Sequence, residues 1–448
     1  MSERYLVYGL AVAGAAVVRA LTERGLHVVA ADDTGTEAVR ARADEVGVDL
    51  AVAPGTDELT ALVERCDVVV PAPGVPETHA LFEIAGRAGR PVRSELELAY
   101  RWEQERAGGP RPMLAVTGTD GKTTVTLWAT EMLRAGGARA VAAGNTDLPL
   151  VAALELDVDA FVVECTSFRL AGTEQFRGEA AVWLNLAEDH LNWHTSMASY
   201  EAAKARVFTQ QRATDTAIGA TADPVVMANL ASAPARHRTF GLRDADYRVV
   251  GDVLQAPSGG LAPTTALARS LPHDLTNGLA AAALVLEPGL VGPEAVASGL
   301  ASFTGPPHRI ELVGEGDGIR WYNDSKATTP HAASAAIRAF DSIVLIAGGL
   351  NKGLDLRPMA RERTRIRAVV AIGRDAKDIE DAFDGSTVAE ATSMAEAVER
   401  AGELARSGDV VLLSPGCASF DWYPDGGYPA RGDDFRRLVN ARLRGASA

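Results

Sequence analysis

The densest concentration of chemistry in the chain is Gly118-Thr119-Asp120-Gly121-Lys122-Thr123-Thr124. Glycines let backbone N–H groups approach a phosphate, a lysine supplies charge and a hydroxyl serves magnesium, so the run holds the parts a nucleoside triphosphate needs. Two residues separate its glycines, against the four of the general phosphate-loop pattern. Context adds weight: the apolar run Met113–Val116 leads into the turn, and a helical pattern, Val125–Ala135, leaves it and ends at Gly136-Gly137. A plain turn between strand and helix would have no use for Lys122 beside two hydroxyls. Lys122 is therefore read as a ligand of the β- and γ-phosphates and Thr123 as a magnesium ligand. Gly118, Thr119, Asp120, Gly121 and Thr124 complete the cradle.

Magnesium takes oxygen ligands, and a phosphate-loop enzyme usually keeps a carboxylate for it at the end of a neighbouring strand. Glu164, closing Phe161-Val162-Val163, fits that place. Asn185-Leu186-Ala187-Glu188-Asp189-His190, past another apolar strand, sets a carboxylate and an imidazole where substrate would lie. Taken singly, His190 is explained equally well as a satisfied structural histidine and as a ligand.

These residues need elements to hold them. The first hundred residues alternate apolar runs (Tyr5–Gly9, His27–Asp32, Asp67–Pro71) with amphipathic segments such as Ala15–Arg24, a βαβ rhythm. Gly108-Gly109-Pro110-Arg111-Pro112 punctuates the chain before the phosphate loop, and Gly305-Pro306-Pro307 does so again. Past the second break the alternation restarts with Ile319–Asn323, Ser342–Gly348, Ala368–Gly373 and Val410–Ser414. The expectation is an α/β protein of three domains, 1–110, 111–305 and 306–448, which suits 448 residues at about 150 per domain. Residues 212–272 read as short strands and turns without a clear pattern.

No apolar run approaches the roughly 20 residues of a membrane span, and Met1 to Tyr5 enters an apolar stretch without a charged leader, so a cytoplasmic location is expected. A net charge of −15 opposes binding to nucleic acid or to an anionic membrane. Cys66, Cys165 and Cys417 are too few and too scattered for a disulfide framework or a zinc site, and read as small core residues.

Together, Thr117 to Thr124, Asn185 to His190, Ala202-Ala203-Lys204, Pro307-His308-Arg309, Asn323 to Thr328 and Ser414-Pro415-Gly416-Cys417-Ala418-Ser419 resemble the muramyl-peptide ligases, in that family's order and over most of the chain. Asn-Asp-Ser-Lys-Ala-Thr and Ser-Pro-x-x-Ala-Ser look like the glutamate-adding branch. The resemblance implies a Rossmann-like N-terminal domain for UDP, a central P-loop NTPase-like domain for ATP and a mobile, Rossmann-like C-terminal domain. It implies an activity: ATP phosphorylates the carboxylate of UDP-N-acetylmuramoyl-L-alanine, and the amine of glutamate displaces phosphate from the acyl phosphate. A monomer is expected.

Residue by residue, it implies catalytic roles for Lys122, His190, Lys204 and Asn145, the last in Gly144-Asn145-Thr146. Magnesium would be held by Thr123, Glu164, His190 and Lys204, the lysine as a carbamate. By pattern alone Lys204 is a lysine on a helix, and a solvated face would explain it. His273 and Asn277 match nucleoside contacts, and Arg309, Asp324 and Lys326 match nucleotide contacts. A helix start would explain Asp324 and Ser325, but not Lys326 after them. Thr328, Lys352 and Ser419 match contacts to the incoming amino acid, and an exposed loop would also account for Lys352. Gly9, Gly14 and Asp33 match UDP contacts.

The chain also departs from the family. Gly9-x-Ala11-x-x-Gly14 lacks the middle glycine of a dinucleotide fingerprint, so NAD is not expected, and Gly35 stands where an arginine is usual. Arg169 replaces a glutamine near the muramyl-peptide path, Asp147 a small residue and Asp274 an asparagine. Phe420 to Gly432 is long and aromatic beside the amino-acid pocket, which keeps an L-glutamate-adding relative open. A folylpolyglutamate synthase is disfavoured by the N-terminal UDP-type domain. A regulator that lost chemistry would have lost Lys122, Glu164, His190 or Lys204.

Overall fold

The βαβ rhythm of the first hundred residues becomes a four-stranded parallel sheet in the computed structural model, which describes residues 3–351 and 353–446. Its strands β1 (Arg4–Tyr8), β2 (His27–Asp32), β3 (Leu50–Val52) and β4 (Val68–Pro71) run in the order β3-β2-β1-β4. Each return needs a crossover helix, as parallel pairing requires.

A second sheet is also parallel throughout and contains β5 (Met113–Thr117), β6 (Ala140–Gly144), β7 (Ala160–Glu164), β8 (Ala180–Trp183), β9 (Thr216–Ala220) and β10 (Arg236–Phe240), ordered β10-β9-β8-β5-β7-β6. All five residues of β5 are buried, and both faces of the sheet are covered around it, which is why its central strands read as continuous apolar runs. β5 lies between β7 and β8, where the strand order reverses, and ligands of open α/β sheets bind at such points beyond the carboxyl ends of the strands. One core joins the two sheets, with Val7, Val17 and Leu21 in the same cluster as Leu150, Phe161 and Trp183. The opposite face packs under Trp128, Met132, Leu279 and Leu284.

The patternless stretch 212–272 resolves into β9 and β10 of the central sheet and an antiparallel meander, β11 (Arg248–Val250), β12 (Val253–Ala256) and β13 (Gly259–Pro263). The chain divides into two compact units, Met1–Thr304 and Gly305–Ala448, and the punctuation at 108–112 falls inside the first. The second unit has its own sheet, β14 (Glu311–Gly316), β15 (Ile319–Asn323), β16 (Ile343–Gly348), β17 (Ile366–Ile372), β18 (Val388–Ala391) and β19 (Val410–Leu413), ordered β14-β15-β19-β16-β17-β18. Only the edge strand β14 pairs antiparallel in it. Its core includes Trp321, Val344, Ile346, Val370 and Phe435. The three cysteines are buried and unpaired. Among the described residues no helix is long and apolar enough to cross a membrane.

Candidate active site

The phosphate loop leaves β5 at the switch point and enters the helix Lys122–Ala135. Gly121 sits at φ 82°, and a Cβ there would lie 2.9 Å from Asn277 Oδ1, so only glycine lets the turn close against that side chain. The end of β8 props the loop: Thr119 and Asp120 both donate their backbone N–H to Asn185 Oδ1, at 2.9 and 2.8 Å. Thr119 Oγ1 accepts the Ala187 N–H and meets the Tyr200 hydroxyl at 3.1 Å. Asn185 as a support, and Tyr200, carry no motif signal of their own.

Two lysines converge on this loop. Lys122 Nζ donates to the Gly118 and Thr119 carbonyls at 2.9 and 2.7 Å. Lys204, on the helix Met197–Thr209, donates to the Gly118 carbonyl at 2.6 Å, with its Nζ 4.6 Å from the Tyr200 ring centroid. Lys204 is 1% exposed, so it does not lie on a solvated face. Burial first, and the charge of Lys122 second, hold its amine well below the ordinary lysine range.

Glu164 ends β7 buried, beside the end of β6. Its Oε1 accepts from Asn145 Nδ2 at 3.0 Å, and Asn145 N–H donates to the Glu164 carbonyl, which fixes the pair. Its Oε2 is buried with no hydrogen-bond partner. A buried carboxylate oxygen left without a donor fits a cation ligand. His190 takes a left-handed backbone, φ 54°, and its ring meets Phe168 and Tyr200 edge-on. Burial lowers its pKa, so the imidazole is neutral near pH 7 and able to donate a lone pair. Among the described residues no three His, Cys, Asp or Glu side chains form a metal cage, as expected where phosphates and water supply most ligands.

The helix Pro272–Leu286 brings Asn277 against Gly121, with His273 one turn earlier. Asp274 is committed to Arg269, at 2.6 Å through two oxygens, and to the start of its own helix. The replacement of asparagine thus adds a buttress rather than a free charge.

In the first sheet, a Cβ on Gly14 would fall 1.9 Å from the Gly9 carbonyl, so the last glycine of the first loop is required. Ala11 is exposed and caps the helix Val12–Glu23, which explains why a methyl is tolerated there. Asp32 is the structural carboxylate, accepting Leu10 N–H at 2.7 Å, while Asp33 accepts the Tyr8 hydroxyl and faces His79. Between this sheet and the central one lies a cavity of about 330 Å³, lined among others by Pro71, Phe82, Phe168, Arg169, Trp193 and Arg206. Arg169 is not a free cation there: it donates to Glu95 at 2.8 Å and to the Gly144 carbonyl at 2.9 Å. Beside the cavity the buried His194 bridges Ser167 (2.8 Å) and Glu77 (3.4 Å). Neither pairing is visible in the sequence, since partners lie far apart along the chain.

The second unit gathers its predicted residues at the carboxyl ends of β15 and β19. Asp324 accepts Ile310 N–H at 3.1 Å and the Ser414 hydroxyl at 2.6 Å. The next helix begins only at Pro330 under a Thr329 cap, so Asp324 and Ser325 do not cap it. Lys326 Nζ lies 5.5 Å from the Tyr428 ring centroid. Thr328 is half-buried, and Ser419 is buried with its hydroxyl unpartnered. Arg309 precedes β14, and Lys352 lies outside the described residues.

Two family models match the chain: the Mur ligase middle domain over residues 116–284, and the Mur ligase glutamate ligase domain over 308–417. A protein of Frankia casuarinae named UDP-N-acetylmuramoylalanine--D-glutamate ligase is 42% identical, covering 98% of this chain and 94% of its own. One of the same name from Mycolicibacterium vanbaalenii is 37% identical over 98% of both. Among solved structures, MurC from Thermotoga maritima shares the fold at TM-score 0.58 and 17% identity, covering 98% and 100% of the two chains. MurF from Acinetobacter baumannii does so at 0.59 and 17%, covering 97% and 91%.

Proposed function

The chain belongs to the Mur ligase family, and from that premise we propose that it joins D-glutamate to UDP-N-acetylmuramoyl-L-alanine at the expense of ATP, in peptidoglycan precursor synthesis. The observation that carries the reading is the convergence of Lys122, Lys204 and His190 at the phosphate loop, in a chain related over nearly its whole length to D-glutamate ligases.

A carboxylate is a poor acylating agent, so the γ-phosphoryl group must first pass to it, and charge builds on the transferring oxygens. Lys122 is placed to neutralise that charge once a triphosphate draws it off the Gly118 and Thr119 carbonyls. Asn145, fixed by Glu164, is placed to orient the same group. Thr123, Glu164 and His190 would hold magnesium, which supplies charge neutralisation and a template for the phosphates. We assign Lys204 to carbamylation, which burial favours by lowering the pKa of its amine: the deprotonated nitrogen attacks carbon dioxide, a proton leaves, and an oxygen of the resulting carbamate serves as an anionic ligand. Labelling with 13C-bicarbonate tests this, and a spectrum without a carbamate resonance removes the assignment.

The amine of glutamate then attacks the acyl phosphate and phosphate leaves. Thr328, Lys352 and Ser419 are assigned to glutamate, Arg309, Asp324, Lys326, His273 and Asn277 to the nucleotide, and Gly9, Gly14 and Asp33 to UDP. We read residues 1–110, 111–305 and 306–448 as the three domains of a monomer working in the cytoplasm. The deciding assay is phosphate release with UDP-N-acetylmuramoyl-L-alanine and either enantiomer of glutamate. Release with D-glutamate alone is expected, release with L-glutamate alone transfers the chain to the opposite specificity, and silence with both sinks the substrate.

A further inference from the structure

We propose that Arg431 is a positioning residue for the glutamate half-reaction, holding the Cys417–Ser419 turn and the Ser325 turn in one fixed relation from beneath. The proposal rests on the function argued above. Arg431 sits on the helix Gly427–Ala446 and is 1% exposed, yet among the described residues no carboxylate lies within ion-pair distance of it. Its whole fork is spent on the two turns. Nε donates to Ser325 Oγ at 2.9 Å, Nη2 to the carbonyls of Ser325 and Cys417 at 2.8 and 3.1 Å, and Nη1 to the Ala418 carbonyl at 3.3 Å.

The turns that it holds lead on to residues assigned to glutamate. Ala418 exchanges backbone hydrogen bonds with Leu350 in both directions, so the Ala418 carbonyl also fixes the turn that runs on toward residue 352. Gly349 is packed so closely that a Cβ would lie 2.2 Å from that carbonyl and 3.2 Å from Arg431 Nη1. Gly416 N–H donates to the Ala327 carbonyl, next to Thr328. Ser325 Oγ donates in turn to the Tyr428 carbonyl, which ties that turn back to the start of Arg431's own helix. One residue past Ala418, the Ser419 hydroxyl is buried without a partner.

The charge is supported at longer range by Asp421 and, more weakly, by Asp324, while the hydrogen bonds of the fork go to the turns. Burial pulls the Arg431 pKa down only to about 10, so the group stays charged at neutral pH. A fixed positive charge beneath a turn that offers a free hydroxyl suits a dicarboxylate amino acid. The planar fork meets acceptors in several directions, a geometry lysine lacks.

The test uses the full chain and the variants R431M and R431K. In R431M the KM for glutamate rises about tenfold or more and kcat falls, while the KM for the UDP substrate and the Kd for ATP stay within about twofold. R431K recovers part of the glutamate KM. Equal changes in all three constants, or a lowered melting temperature with the glutamate KM unchanged, overturn the proposal. Should R431M fail to fold, R431K is read alone: a raised glutamate KM with unchanged ATP affinity supports the role, and wild-type constants overturn it. Wild-type enzyme that releases no phosphate with either glutamate enantiomer would instead defeat the functional reading itself.

Discussion

Lys204 separates what a residue's pattern conveys from what its surroundings make of it. Along the helix Met197–Thr209 its position looks like any charged helix position, but the side chain is turned inward onto the Gly118 carbonyl and over Tyr200. Its amine, whose pKa is held low by burial, lies two hydrogen bonds from Lys122, a place suited to the carbamylation proposed above. K204M therefore keeps its melting temperature or gains from losing a buried amine, while kcat falls about 10²–10³-fold. Loss of fold together with activity would return Lys204 to a structural role. The phosphate-loop residues, Glu164 and His190 could be proposed from the sequence because their chemistry is written in adjacent letters. The support that Asn185 gives the loop, and the contacts of Tyr200, Glu95 and Arg431, could not, because each acts on a partner at least sixty residues away or through a contact no local period encodes.

At the scale of elements, apolar runs announced their strands, and β2, β7 and β15 fall where those runs place them. β10 did not, since Arg-His-Arg-Thr-Phe is an edge strand whose first residues face solvent. The meander β11–β13 is short, and five of its twelve strand positions are exposed. What locks the first sheet's elements onto the central ones is a buried charge system. Glu95, on the helix Glu95–Gln104, accepts Arg169 of the short helix Ser167–Ala171 and the Val151 N–H of the helix Leu150–Ala153. Removing one partner leaves the other buried and uncompensated, so E95A should lower unfolding stability by about 3–5 kcal/mol. The double variant E95A/R169L should recover much of that loss. Additive losses in a denaturant titration of the four forms would show that the two side chains do not act as a pair.

The whole molecule divides once in compactness, and Gly305–Ala448 carries its own sheet and core. That fragment, expressed alone, should unfold cooperatively; a broad, non-cooperative melt would mean its core depends on the rest of the chain. Both units share a response to acid. Burial holds His190, His194 and His273 in the first unit, and His308 in the second, below the ordinary imidazole pKa. In the unfolded chain each takes up a proton near pH 6.5, and in the folded chain each resists it. Wherever the unfolded state binds more protons, stability falls as pH falls, so the contribution of these four is complete above about pH 6.5 and is lost below it. Glu95 and Glu179 oppose this, because burial raises their pKa and the folded state takes up their protons first. Their effect offsets part of the imidazole loss. The carboxylates held low, Glu77, Glu311 and Asp409, add theirs only below the usual carboxylate range. The melting temperature without ligands should therefore drop between pH 7.5 and pH 5.5, and a constant or rising value would mean that the four rings are not kept neutral by the fold.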